Sequence, residues 1–165
     1  MLNNVRLLLL GLWLGAAIFF SGAVAPSAFK VLRAFNLPNA TEIAGTIVSR
    51  TLVIVNTSGF IISLLLLSSA FVLRKLWTRS SFIFQVSLLS LVAAATGIGE
   101  WIIAAQMRVL RAGFSGPIDQ APATDAGRIA FDALHGYSVT ALSVAMLAGL
   151  VAFFVMSKRV KMERE

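Results

Sequence analysis

Residues 128–138, RIAFDALHGYS, hold the groups in this chain best suited to acid–base or ligand chemistry. Arg128, Asp132 and His135 are spaced by four and then three, so on a helix they share one face. His135 is the only histidine. An imidazole beside a carboxylate can pass a proton near neutral pH or ligate a metal. Glu100, in GIGEW, and Arg50, in VSRTL, are further ionisable groups within apolar surroundings. If the helices that carry them run antiparallel, Arg50, Glu100, Arg128, Asp132 and His135 fall near one depth and form a candidate polar layer. Ionisable groups inside a bilayer are costly unless paired, and are functional candidates by default. The structural alternative is that Arg50 or Arg128 neutralises Glu100 or Asp132, giving a network that sets helix register. Both readings stay open at this point.

Other chemistry finds little support. Without cysteine there is no disulfide and no thiolate metal site. One histidine cannot supply bis-histidine haem ligation or a three-histidine zinc site within a single chain. A metal or haem on His135, with Met107 or with a second His135 in a dimer, stands as an alternative. Neither a P-loop nor a dinucleotide glycine pattern occurs. Ser138 reads as a helix-packing group, and no nucleophile–base–orienter set is visible. The expectation is therefore no catalytic residue, no enzyme activity and no cofactor.

The elements that position these groups are apolar helices. The chain is 58% hydrophobic and 13% charged, with mean hydropathy +0.88, where soluble domains run near about 25% charged. Its net charge of +7 comes from Lys and Arg at the ends of apolar runs. They serve as bilayer anchors, not as a phosphate-binding groove, so no nucleic-acid partner is expected. Crossing the hydrocarbon takes about 20 apolar residues, and four spans qualify, at about 7–25, 43–72, 82–107 and 129–156. They predict an all-α, single-domain, integral membrane four-helix bundle with up-down-up-down topology. Arg6, an apolar run and Ala23-Val24-Ala25 imitate a secretory signal, but Pro26 directly after it opposes cleavage, so the first span is expected to be permanent.

Between spans, PSAFKVLRAFNLP (26–38) places Ala28, Val31, Leu32 and Phe35 at helical spacing, with Lys30 and Arg33 turned away. This predicts a short interfacial helix bounded by Pro26 and Pro38. Residues 112–127 are rich in Gly, Ala and Pro and read as a flexible external loop, with Thr124 or Asp125 available to cap the fourth helix. Gly11, Gly15 and Gly22 form a small-residue stripe suited to close helix approach, within the chain or in a homo-oligomer. Asn56, Gly59 and Ser63 read as helix-packing positions.

Eight of the 14 Lys and Arg fall on one side: Arg6, Arg74, Lys75, Arg79 and the basic tail of 157–165, with Lys158, Arg159, Lys161 and Arg164. The other six are Lys30, Arg33, Arg50, Arg108, Arg111 and Arg128. This bias predicts both termini in the cytoplasm and the bundle in the cell (inner) membrane.

WLGAAIFFSGAVAPSAFKVL (13–32), MRVLRAGF (107–114) and FDALHGYS (131–138) together resemble the transmembrane-protein-205-like family (domain of unknown function 4149). The matching positions are Trp13, Gly15, Ala25, Pro26, Phe29, Arg108, Arg111, Leu134, His135 and Ser138. The resemblance implies a four-helix integral membrane protein without an established reaction. Eukaryotic members are associated with resistance to platinum drugs, although this chain lacks the soft ligands that such metals prefer. The leading expectation is a non-enzymatic, oligomeric or accessory component in transport or in stress or metal resistance. The alternatives are a small-solute, proton or ion transporter using the polar layer, and a metal- or haem-binding redox protein. The orientation is checked by reporter fusions: those after residue 78 and at the C-terminus should report one compartment, and those after residue 118 the opposite one.

Overall fold

The computed structural model describes residues 2–35, 37 and 39–162, and every regular element among them is helical. α1 (Leu2–Phe19) runs through a π-helical turn, Phe20–Val24, into α2 (Ala25–Ala34). α3 covers Ala40–Val72. α4 (Arg79–Gly97), a second π-helical stretch (Ile98–Ala104) and α5 (Ala105–Ala112) make a third continuous rod. α6 covers Ala126–Met162. Four rods, Asn3–Ala34, Ala40–Val72, Arg79–Ala112 and Ala126–Lys158, are long and apolar enough to cross a membrane. At about 1.5 Å per residue each measures roughly 50 Å against about 30 Å of hydrocarbon, so they tilt or project beyond it.

The amphipathic segment after the first span is helical over Ala25–Ala34, as its spacing predicts, but it is not set off from that span. The backbone stays right-handed helical through Phe19, Val24 and Ala25, and the Ala25 N–H reaches back five residues to the Phe20 carbonyl. Pro26 has no N–H to donate and sits in the first turn of α2. The wider turn before it takes up that interruption without breaking the rod. Pro38, the other expected boundary, lies outside the described residues.

The rods close into a ring. α1 packs on α3 and α6, α3 on α4, and α4 on α6, so each sequential neighbour is antiparallel, as expected for up-down-up-down order. The connection before α6 is tied down, where the sequence reads as flexible. Asp125 Oδ1 accepts the Arg128 backbone N–H at 3.0 Å and caps the helix. The Arg128 side chain donates to the Asp119 and Ala121 carbonyls of the same loop.

Each rod buries one stripe, and the stripes are composed of small and polar residues as much as of large ones. Ala17, Ala44, Ala145 and Ala152 are fully buried, as are Gln85 and Thr96, while Ile54, Val72, Val109 and Leu147 are more than 60% exposed. This distribution suits a bundle whose outer solvent is hydrocarbon, where close backbone approach and hydrogen bonding hold helices together.

The tightest junction is around Trp13. Its indole is 3% exposed, and Nε1 donates to the Val55 carbonyl of α3 at 3.0 Å. A Cβ at Gly59 would lie 2.5 Å from Nε1, and one at Gly149 of α6 would lie 3.0 Å from Cζ3. The ring is therefore held between two glycines on neighbouring rods, with no space for even a methyl group. Gly11 packs similarly on the Phe153 ring, whereas Gly15 and Gly22 face open space. Gly59→Ala should lower the melting temperature of the detergent-solubilised protein, in line with overpacking costs of about 1–3 kcal/mol. Gly15→Ala and Gly22→Ala should not, and circular-dichroism melts of the three variants check this.

Candidate functional site

Glu100 is the buried carboxylate among the described residues. It is 5% exposed and lies in the π-helical stretch of the third rod. Its position is about 7 Å from the rod's midpoint at roughly 1.5 Å per residue. Oε1 accepts a hydrogen bond from Arg108 Nη1 at 3.2 Å. Oε2 is buried and accepts none among the described residues. A buried acceptor left without a donor costs on the order of 1–3 kcal/mol, so this oxygen is a natural seat for a proton, a cation or a hydrogen-bonding solute.

The π-helical stretch explains the choice of partner. In a regular α-helix two turns take about seven residues, so positions eight apart diverge around the axis. One inserted residue brings the count for two turns to about eight and places Arg108 directly outward of Glu100. The Arg108 side chain, 57% exposed, then spans the distance from the rod's outer end back to the carboxylate. Arg111, which regular spacing puts on the Glu100 face, instead crosses to α3. There it pairs with Glu42 Oε1 at 2.8 Å and donates to the Glu42 carbonyl at 3.3 Å.

α3 packs closely on the backbone just before Glu100. A Cβ at Gly99 would meet the Asn56 amide at 3.3 Å, and one at Gly97 would meet the Phe60 ring at 3.3 Å. Phe60 and Trp101 stack edge to face at 4.7 Å. Asn56, 3% exposed, thus lies beside the residue preceding Glu100. The glycines of TGIGE let the two rods approach at this level.

The other members of the expected polar layer lie elsewhere. Arg50 and His135 are exposed, and neither has an ion pair or side-chain hydrogen bond among the described residues. Arg128 and Asp132 approach to only 4.0 Å, with Asp132 68% exposed. The layer therefore does not converge, and Glu100 is its one buried member. Of the motif positions, Trp13 and Ser138 are buried and Ala25 and Leu134 half-buried, while Gly15 and Pro26 are exposed. Phe29 is half-buried with the Arg33 guanidinium 5.7 Å over its ring. His135 offers a single outward donor, and no three His, Cys, Asp or Glu converge among the described residues.

Two buried polar residues escape the sequence reading. Arg6, expected as a surface anchor, is 2% exposed. It donates to the Leu66 carbonyl at 3.4 Å and lies 5.0 Å from the Trp77 ring centre. Gln85 is fully buried, and neither end of its amide has a hydrogen-bond partner among the described residues. Its signal is a stripe spaced by four, three and four, Gln85, Leu89, Val92 and Thr96, all buried.

The Glu100–Arg108 pair is testable by a double-mutant cycle. Arg108→Gln alone should destabilise the protein more than Glu100→Gln/Arg108→Gln together, because only the single variant leaves a buried carboxylate without its cation. A coupling on the order of 1 kcal/mol is expected, given that Arg108 is partly exposed.

Searches of curated proteins and of solved structures return no match. One family model matches, described as a domain of unknown function, DUF4149, over residues 8–113. That stretch runs from before Trp13 through Glu100, Arg108 and Arg111, and covers well over half of the sequence. The chain is a member of the DUF4149 family.

Proposed function

We propose that this chain is a non-enzymatic membrane bundle that takes up and releases a proton or small cation at Glu100, as a transport unit or as an accessory to one. The observation that carries this reading is the free, buried Oε2 of a carboxylate whose other oxygen is already paired. Such a group is a costly structural device, since an apolar residue would pack the same space without an unmet acceptor. The chemistry is simple: Oε2 binds H⁺ or a cation from one side and loses it to the other. The exposed Arg108 guanidinium is the counter-charge that can follow it. The π-helical stretch supports the same reading, because such bulges recur at functional sites.

Four spans are few for a complete transport path, so the reading includes assembly. Gly15 and Gly22 are exposed with open space over them, and they offer a second copy the close approach that small residues allow. Placement in the cell membrane with both termini cytoplasmic belongs to this proposal and rests on the Lys and Arg count.

The experiment is proton flux in liposomes loaded with a pH-sensitive dye and driven by a potassium diffusion potential. The wild-type protein should acidify the lumen faster than empty liposomes. Glu100→Gln should return the rate to the empty level, and His135→Ala should leave it unchanged. If wild-type and empty liposomes behave alike for protons, sodium and potassium, the proposal fails.

A further inference from the structure

The end of the bundle opposite Glu42 and Arg111 carries positive charge that no acidic side chain among the described residues offsets. No Asp or Glu occurs between Ile43 and Gly99. Arg74, Lys75 and Arg79, in and beside the short link between α3 and α4, are all exposed, and none has an ion pair among the described residues. They are not merely scattered on the surface. Arg74, Trp77, Arg79, Phe82 and Ile83 line a cleft of about 340 Å³. The Arg74 guanidinium is held 5.5 Å over the Phe82 ring. Trp77 is fixed from below by the buried Arg6 guanidinium, 5.0 Å from its ring centre.

A second concavity adjoins the first and shares Arg79 and Ile83 with it. It is an open furrow of about 590 Å³ that continues along α4 past Ser80 and Phe84 to Ser87. Its direction is inward from the link toward the middle of the span, and Ile83 and Phe84 are each at least half exposed along it. A basic, aromatic-walled cleft at the interface thus opens directly into an apolar track within the hydrocarbon.

We propose that this pair of concavities is a binding site for an anionic phospholipid. Its phosphodiester lies between Arg74 and Arg79, and an acyl chain lies along Ile83 and Phe84. Guanidinium forks suit phosphate oxygens, and clusters of basic residues at a span's end attract anionic headgroups. The furrow is what favours a lipid over a free phosphate, since an inorganic anion has no use for an apolar track.

Native mass spectrometry of the protein released from nanodiscs with equimolar phosphatidylglycerol and phosphatidylcholine tests the site. The wild-type protein should retain phosphatidylglycerol. Arg74→Gln/Arg79→Gln should lower that retention roughly tenfold or more, as expected for removing two interfacial cations. Lys30→Gln/Arg33→Gln, which removes two cations from the α2 segment, should leave it unchanged. Ile83→Trp, placed on the outward face where it fills the furrow without disturbing the interior, should also lower retention. Equal loss in the Lys30/Arg33 variant would overturn the proposal in favour of diffuse surface charge. Displacement by millimolar inorganic phosphate at constant ionic strength, with Ile83→Trp unaffected, would overturn it in favour of a free-anion site.

Discussion

A single indole sets the distance between three of the four rods. Trp13 donates to the Val55 carbonyl and lies between Gly59 and Gly149, so the first, second and fourth spans meet at one flat ring. In hydrocarbon there is little hydrophobic gain from bringing helices together, so geometry and hydrogen bonding carry more of the association. A rigid ring between two glycines provides both. It also fixes the height at which the rods register, and so which residues of α3 meet the third span. Asn56 is one residue beyond Val55, and it packs on Gly99, the residue before Glu100.

The class of fold was legible because length and hydropathy are enough to name a membrane-spanning helix. The up-down-up-down topology followed from four spans joined in sequence. The inward faces were less legible, and α6 shows why. Val139, Leu142 and Met146 read as a core stripe by size and spacing. Leu142 is buried and Met146 packs against the core, but Val139 is 54% exposed and the buried face is made mostly of small residues, Ser138, Ala145, Ala148, Gly149 and Ala152. Inside a bilayer, size does not mark the core, because lipid solvates Val and Leu as well as protein does. His135 is three residues before Ser138 and seven before Leu142, on the same stripe, yet it is exposed, because the stripe loses its cover at that level.

Burial of Glu100 was readable from the small residues around it, but its partner was not. Regular helical spacing aligns Glu100 with Arg111, and only the inserted residue of the π-helical stretch brings Arg108 into line. Nothing in composition announces such an insertion. Arg6 was hidden for a different reason. Basic residues at span ends serve so often as topology signals that one folded inward, onto a carbonyl and an indole, gives no separate sign.

The inserted residue near Glu100 has a mechanical consequence. A π-helical stretch is a dislocation in an otherwise regular lattice of backbone hydrogen bonds, and dislocations can glide. Moving it one turn toward Ala112 would turn only the residues it passes, each by about 100°, while both ends of the rod keep their packing. Such a shift would change the face that the third span presents beside α3 without any rod leaving its place in the ring.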